Sequence, residues 1–230
     1  MKTLITALSV LTFGTSIGTL NTGLNKTSQK IELLDNKTQQ DTIYIDKDGK
    51  EQTTNKRDLS NIKTTKITQI GFYKNQQGEI QVVRMPETIK EVPDKLPPEI
   101  TSLNFMFLGA SQFNQDLSTW DVSNVTDMLS MFNGSLKFDQ DLSKWNVSNV
   151  RSVGGMFAGA SSFNGNISTW DVSNVRIMTG MFAGSVLFDQ DLSKWDVSNV
   201  LDHTHFAVGL AISDSNKLPK FKNFFINNTI

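Results

Sequence analysis

Asp139 and Asp141 stand two residues apart, and Asp189 and Asp191 repeat the pair 50 residues later. Paired carboxylates are the equipment of a glycoside hydrolase, one as acid and one as base or nucleophile. Here the pair recurs in what reads as a solvated turn, so repetition would create several equal half-sites instead of one active site. The two histidines, His203 and His205, have the spacing of metal ligands on a strand, but no third ligand accompanies them. Neither lies in a regular unit of the sequence, which leaves a Ser-His-Asp triad without a natural home. Asp46-Lys47-Asp48-Gly49 begins like a calcium loop and then lacks the remaining ligands and the closing glutamate. Cysteine is absent, which removes disulfides, thiolate metal sites and a cysteine nucleophile. No G-x-x-x-x-G-K-[ST] phosphate loop occurs. The expectation is a protein with no catalytic residues, no cofactor and no metal.

What the sequence does carry is a period. WDVSNV begins at Trp120, Trp170 and Trp195, and WNVSNV at Trp145, so all four tryptophans are spaced by 25 residues. Around them recur Phe113, Leu117, Val122, Val125, Met128, Met131 and Phe132, together with a glycine at 109, 134, 159, 184 and 209. A fixed period of this length marks stacked units, each too small to bury its apolar side alone. The L-x-x-W-x-V-x-x-V spacing from Leu117 to Val125 follows the leucine-rich pattern, with tryptophan in a leucine place. It predicts a short strand at Trp120-Asp121-Val122 with Trp and Val turned inward and each Trp stacked on the next. The steps from Val125 through Met128, Met131 and Phe132 predict a helical turn on the opposite side. A half unit, Ile100, Leu103, Met106 and Phe107, precedes the first tryptophan. At the other end Leu218 to Phe221 matches Leu192 to Trp195 with one inserted residue, and 221–226 is expected to cap the array. The fold class expected is therefore an α/β repeat, a leucine-rich-repeat-like solenoid of 25-residue coils with an N-terminal β-hairpin cap.

Outward positions of the expected strand form three columns: Thr119, Lys144, Thr169 and Lys194; Asp121, Asn146, Asp171 and Asp196; Ser123, Ser148, Ser173 and Ser198. This strand face is the expected binding surface. Asp139 with Lys144, and Asp189 with Lys194, alternate with Asn114 and Thr119, and Asn164 and Thr169, as though acid and base come and go together. The net charge is −1, and residues 101–200 hold five Lys/Arg against nine Asp/Glu. That balance argues against nucleic acid or an acidic membrane as the partner.

The rest of the chain organises around the repeats. Lys2 followed by the uncharged run Leu4–Leu20 reads as a signal peptide or N-terminal anchor over 1–20. Residues 21–66, rich in Asn, Thr, Gln and Lys, read as a flexible polar spacer, with a local hairpin about Asp48-Gly49. ITQIGFY and EIQVVRM flank a Lys74–Gly78 turn and predict a hairpin cap over 67–95. The solenoid would fill 96–230.

The string F-N-Q-D-L-S-x-W-D-V-S-N-V-x-x-M-x-x-M-F resembles the BspA-like leucine-rich-repeat surface proteins, especially the surface repeats of unknown function abundant in mycoplasmas. TQIGFYKNQQGEIQVVRMPETIKEVPDKLP is similar to the segment that precedes repeats there, so the likeness spans about residues 67–210. It implies a leucine-rich-repeat solenoid, export, and a role in surface interaction or antigenic variation, with no enzyme activity. Many mycoplasma relatives are lipoproteins, whereas this chain has no cysteine to acylate. The function expected is a secreted or cell-surface, non-enzymatic repeat protein binding a host or neighbouring-cell surface protein. It would bind no nucleic acid, and touch a membrane only through an uncleaved N-terminal segment. The alternatives are a structural coat or antigenic protein without a specific ligand, and a calcium-dependent carbohydrate or protein binder.

Overall fold

The computed structural model describes residues 37–210 and 214–222. The expected signal or anchor segment lies outside them, as do 21–36 and most of the expected 221–226 cap. The strands sit ahead of the repeats: β1 (Gln39–Gln40), β2 (Thr42–Ile45), β3 (Glu51–Thr54), β4 (Lys66–Gln69), β5 (Phe72–Lys74) and β6 (Ile80–Val82). They make two antiparallel sheets, ordered β1-β5-β6 and β3-β2-β4. The stretch read as a flexible spacer contributes three of these strands: β2 and β3 form the hairpin expected about Asp48-Gly49, and β1 joins the other sheet.

One turn chemistry closes both hairpins. Asp46 Oδ1 accepts from the N–H groups of Asp48 and Lys50, each at 2.9 Å, and Gly49 takes φ 77°. Asn75 Oδ1 accepts from Gln77 at 3.0 Å and Glu79 at 2.9 Å, and Gly78 takes φ 87°. A short side-chain acceptor followed by a residue free of Cβ is what a tight turn with positive φ asks for. The β5–β6 hairpin forms about the expected turn. Ile67 to Gln69 do not extend it but join β2 in the other sheet.

Between 101 and 210 the chain contains no α-helix and no strand longer than a single bridge. The α/β leucine-rich-repeat-like solenoid is therefore corrected. Neither the strand expected at Trp120–Val122 nor the helical turn expected over Val125–Phe132 forms. The backbone hydrogen bonds show why. Met128, Ser130, Phe132 and Gly134 donate to the carbonyls of Ser152, Gly154, Met156 and Ala158 in the next unit. Met131, Asn133 and Ser135 donate back three residues, to Met128, Ser130 and Phe132. Alternate N–H groups leave sideways, so the i→i−4 ladder of a helix has no donors left. Ser130, Gly155 and Gly180 hold φ between 52° and 59°, which interrupts any right-handed run.

Single parallel bridges link Gln81 to Ser102, then Asp127, Ser152, Ile177 and Asp202. β6 thus joins the repeats to the sheet: Thr101 donates to Ile80, and Val82 to Ser102. Inside run columns of rings. Phe107, Phe132, Phe157 and Phe182 stack at 5.4–5.7 Å, and Trp145, Trp170 and Trp195 at 6.3–6.5 Å. Trp120 packs on Phe107 at 6.2 Å. All four tryptophans are at most 5% exposed. Each indole N–H is satisfied by an earlier carbonyl: Pro93, Leu117, Leu142 and Ile167 in turn. Buried ring and satisfied donor together make tryptophan a core residue here.

Candidate binding surface

The three columns are outward but lie on turns, not on a strand. Leu117 to Trp120 and Val122 to Val125 are each closed by an i→i−3 bond, with Trp120 donating to Leu117 and Val125 to Val122. Thr119, Lys144, Thr169 and Lys194 are exposed, as are Asp121, Asn146, Asp171 and Asp196. Ser123, Ser148 and Ser173 are half-buried, while Ser198 at the end is exposed. Sequence spacing therefore brings these twelve residues to one surface, on a backbone different from the one expected.

Most of them are occupied with the fold. The Oδ1 atoms of Asp121, Asn146, Asp171 and Asp196 accept from the N–H groups of Ser123, Ser148, Ser173 and Ser198 at 3.0–3.2 Å. The hydroxyls of Ser148 and Ser173 add bonds of 2.7 and 2.6 Å to the same oxygens. Asp116, Asp141, Asn166 and Asp191 cap the preceding turn in the same way, through Ser118, Ser143, Ser168 and Ser193. Hydrogen bonds from serine hold the carboxyls of Asp116, Asp121, Asp141, Asp171, Asp191 and Asp196 below the ordinary aspartate value. Thr119 and Thr169 donate to carbonyls 25 and 26 residues back, at Asp94 and Ser143. Lys144 and Lys194 make no ion pair among the described residues. Their ammonium groups and the second carboxylate oxygens are what this surface offers a partner.

The supposed acid–base pairing has a different basis. Asn114 Oδ1 accepts from the N–H of Asp139, Asp139 Oδ1 from Asn164, and Asn164 Oδ1 from Asp189, all at 2.8–3.0 Å. Asn and Asp alternate in that column because either supplies the acceptor oxygen. Asp189 pairs with Lys217 at 2.7 Å, not with Lys194. The doubled carboxylates thus act in turn capping and unit-to-unit bonding. His203 stacks on Phe221 with ring centroids 4.1 Å apart, and His205 is exposed. Among the described residues no three His, Asp or Glu gather as a metal site would require.

Residues 101–217, just over half of the chain, match the family model described as "Mycoplasma protein of unknown function, DUF285". The chain belongs to that family. No curated protein and no solved structure matches it. In this DUF285 chain the matched region begins beside the first bridge of the repeats and ends within the short 3-10 turn at Ser215–Lys217.

One functional column escaped the sequence reading. Asn124, Asn149, Asn174 and Asn199 each donate from Nδ2 to a carbonyl 26 residues earlier: Pro98, Ser123, Ser148 and Ser173. The signal was present, since every DUF285 unit here has Asn directly after the column serine. An Asn fixed beside a turn is an obvious donor to a neighbouring carbonyl once the units are known to stack.

Proposed function

We propose that the protein is an exported, non-enzymatic surface repeat protein that binds a host or neighbouring-cell surface protein through the exposed Thr/Lys and Asp/Asn columns and the half-buried Ser column beside them. The observation that supports this reading is that successive units present the same polar groups outward at a fixed interval. The resemblance of the repeat string to BspA-like surface proteins points the same way, and the run Leu4–Leu20 has the character of an export signal. Lys144 and Lys194 are exposed cations that make no ion pair among the described residues, though they lie near the carboxylates of Asp116 and Asp141 and of Asp191, whereas the serines and the capping oxygens are held by the turns. The columns contain no aromatic anchor of the kind that dominates tight interfaces. Binding by one copy is therefore weak, on the order of micromolar, and strengthens through many copies on a surface. A contact made by charged side chains falls with added salt.

The test is binding of the intact protein to a panel of host surface and matrix proteins, at low and high salt. The reading expects saturable micromolar binding that weakens in salt and drops when Lys144 and Lys194 are both changed to Ala. Nanomolar monovalent binding would remove the avidity argument. Absence of any saturable partner would favour a coat or antigenic role.

A further inference from the structure

A groove of about 720 Å³ opens where β6 meets the first repeat unit, within the volume range of roughly 300–1,000 Å³ typical of small-molecule sites. None of the exposed column residues lines it. Phe105 does, and its backbone is anomalous: a phenylalanine held at φ 60°. The left-handed conformation recurs at this place in every unit, and the Phe105 N–H donates to Leu129 O in the next one at 2.9 Å. The other units have Ser130, Gly155, Gly180 and His205 there, at φ 52–59°. A bulky aromatic is among the worst residues for that conformation. Its ring gains little from packing in return, since Phe105 is 41% exposed and stacks on no other ring among the described residues. Strain held at an exposed aromatic is the kind of outlier from which function is inferred.

The rest of the lining is chemically mixed. Tyr73 stands in the groove with the Arg57 guanidinium 4.4 Å from its ring centre. Arg57 and Arg84 face Asp58, Glu79 and Asp127, so the charges nearly cancel. Arg84 donates to Leu108 O at 3.3 Å and pairs with Asp58 and Glu87, yet its buried Nε–H meets no acceptor.

We propose that this groove binds a neutral carbohydrate, with Phe105 as the platform for the apolar face of one sugar ring. Hydroxyls at the ring edge meet the guanidinium groups and the remaining lone pairs of Glu79 and Asp127, whose carboxylates already accept from Asn75 and, at Asp127, from Asn104 and the Leu129 N–H. Near-neutral charge disfavours a phosphate or nucleic acid. An extended peptide adding as a strand would need an unpaired backbone row. β6 has none to give: β5 takes one edge, and Thr101 and Ser102 take the other.

The probe is a panel of neutral trisaccharides of mannose, galactose and N-acetylglucosamine, offered to the full chain in saturation-transfer NMR. The expected result is transfer from the protein to one sugar class at millimolar concentration, with perturbed Phe105 and Tyr73 ring signals. Phe105→Gly should weaken that binding at least tenfold without lowering the melting temperature, because glycine adopts this φ freely. Phe105→Ser, the residue used at position 130, should behave alike. The proposal is overturned if no saccharide of the panel receives saturation. It is equally overturned if binding is unchanged in both variants, or if both melt earlier than the parent, which would make Phe105 a packing residue. The columns and the groove share no residue, so the lysine variants above report on the other surface independently.

Discussion

The stretch from Gln39 to Val82 and the stretch from Thr101 to Leu210 solve the same problem in different ways. Both must satisfy backbone N–H and C=O groups while burying apolar side chains. The first pairs short strands, with registers set by two hairpin turns of nearly identical design. The second builds no strand or helix, and over one segment of each unit, such as Met128 to Gly134, it hands alternate N–H groups to carbonyls 24 residues ahead in the next unit. A hairpin is specified locally, so damage to it stays local. In the repeats no unit is complete without the next, and an error in one coil is felt by its neighbours.

The largest effect expected from that contrast is in the ring columns. Trp170→Ala should cost about 3–5 kcal/mol as a cavity between stacked neighbours, measured by chemical denaturation. A loss below about 1 kcal/mol would mean that the stack adds nothing. Next comes a pair of glycines. A Cβ at Gly165 would lie 2.0 Å from the Gln140 carbonyl oxygen, whereas one at Gly49 would meet nothing within 4 Å. Gly165→Ala should therefore cost about 2–3 kcal/mol through overpacking against backbone. Gly49→Ala should cost only the left-handed penalty of about 1–2 kcal/mol, confined in hydrogen exchange to β2 and β3. Equal, global losses would erase the distinction between the regions.

Acid titration sharpens the comparison further. The serine-capped aspartates have lowered folded values, so their contribution is present above the unfolded value, near 4, and is lost as pH falls through the lower folded values. Melting temperature should be flat above about pH 5 and decline below about 4. Exchange protection should be lost across the repeats, where Asp116, Asp121, Asp141, Asp171, Asp191 and Asp196 all act, and in the strand region only at the β2–β3 turn capped by Asp46 and about Asp58. A decline that begins near neutrality would contradict this. The smallest effect is expected at Ser135, whose buried hydroxyl donates to Phe107 O at 2.8 Å. Alanine stands at the equivalent positions 110 and 160, so Ser135→Ala should change stability by at most about 1 kcal/mol.

The sequence revealed the period, the buried tryptophans and both hairpin turns, because each is written in local spacing or in a side chain that only one environment suits. It misled over Val125 to Phe132. Met128, Met131 and Phe132 have helical spacing, yet that spacing only says which side chains face inward, and turns can achieve the same. Gly155 and Gly180 carried the opposite message, diluted by Ser130 at the same place. The β2–β3 hairpin was expected, but its place in a three-stranded sheet was hidden, because β3 is Glu, Gln and Thr and β2 is secured by β4 some twenty residues further on. The Thr/Lys and Asp/Asn columns are exposed, but their turn-capping role depends on bonds within a backbone form that was not foreseen. The groove draws on residues from Arg57 to Asp127 and has no signature in any one segment.

The central claim is that the repeats are joined by backbone bonds running from unit to unit in place of helices. Scalar couplings across hydrogen bonds, read between amide nitrogen and carbonyl carbon by NMR, test it directly. Coupling from the Phe132 nitrogen to the Met156 carbonyl, and from Phe157 to Met181, is the predicted result. Coupling from Phe132 to Met128 within its own unit would be the mark of a helix, and would contradict the account.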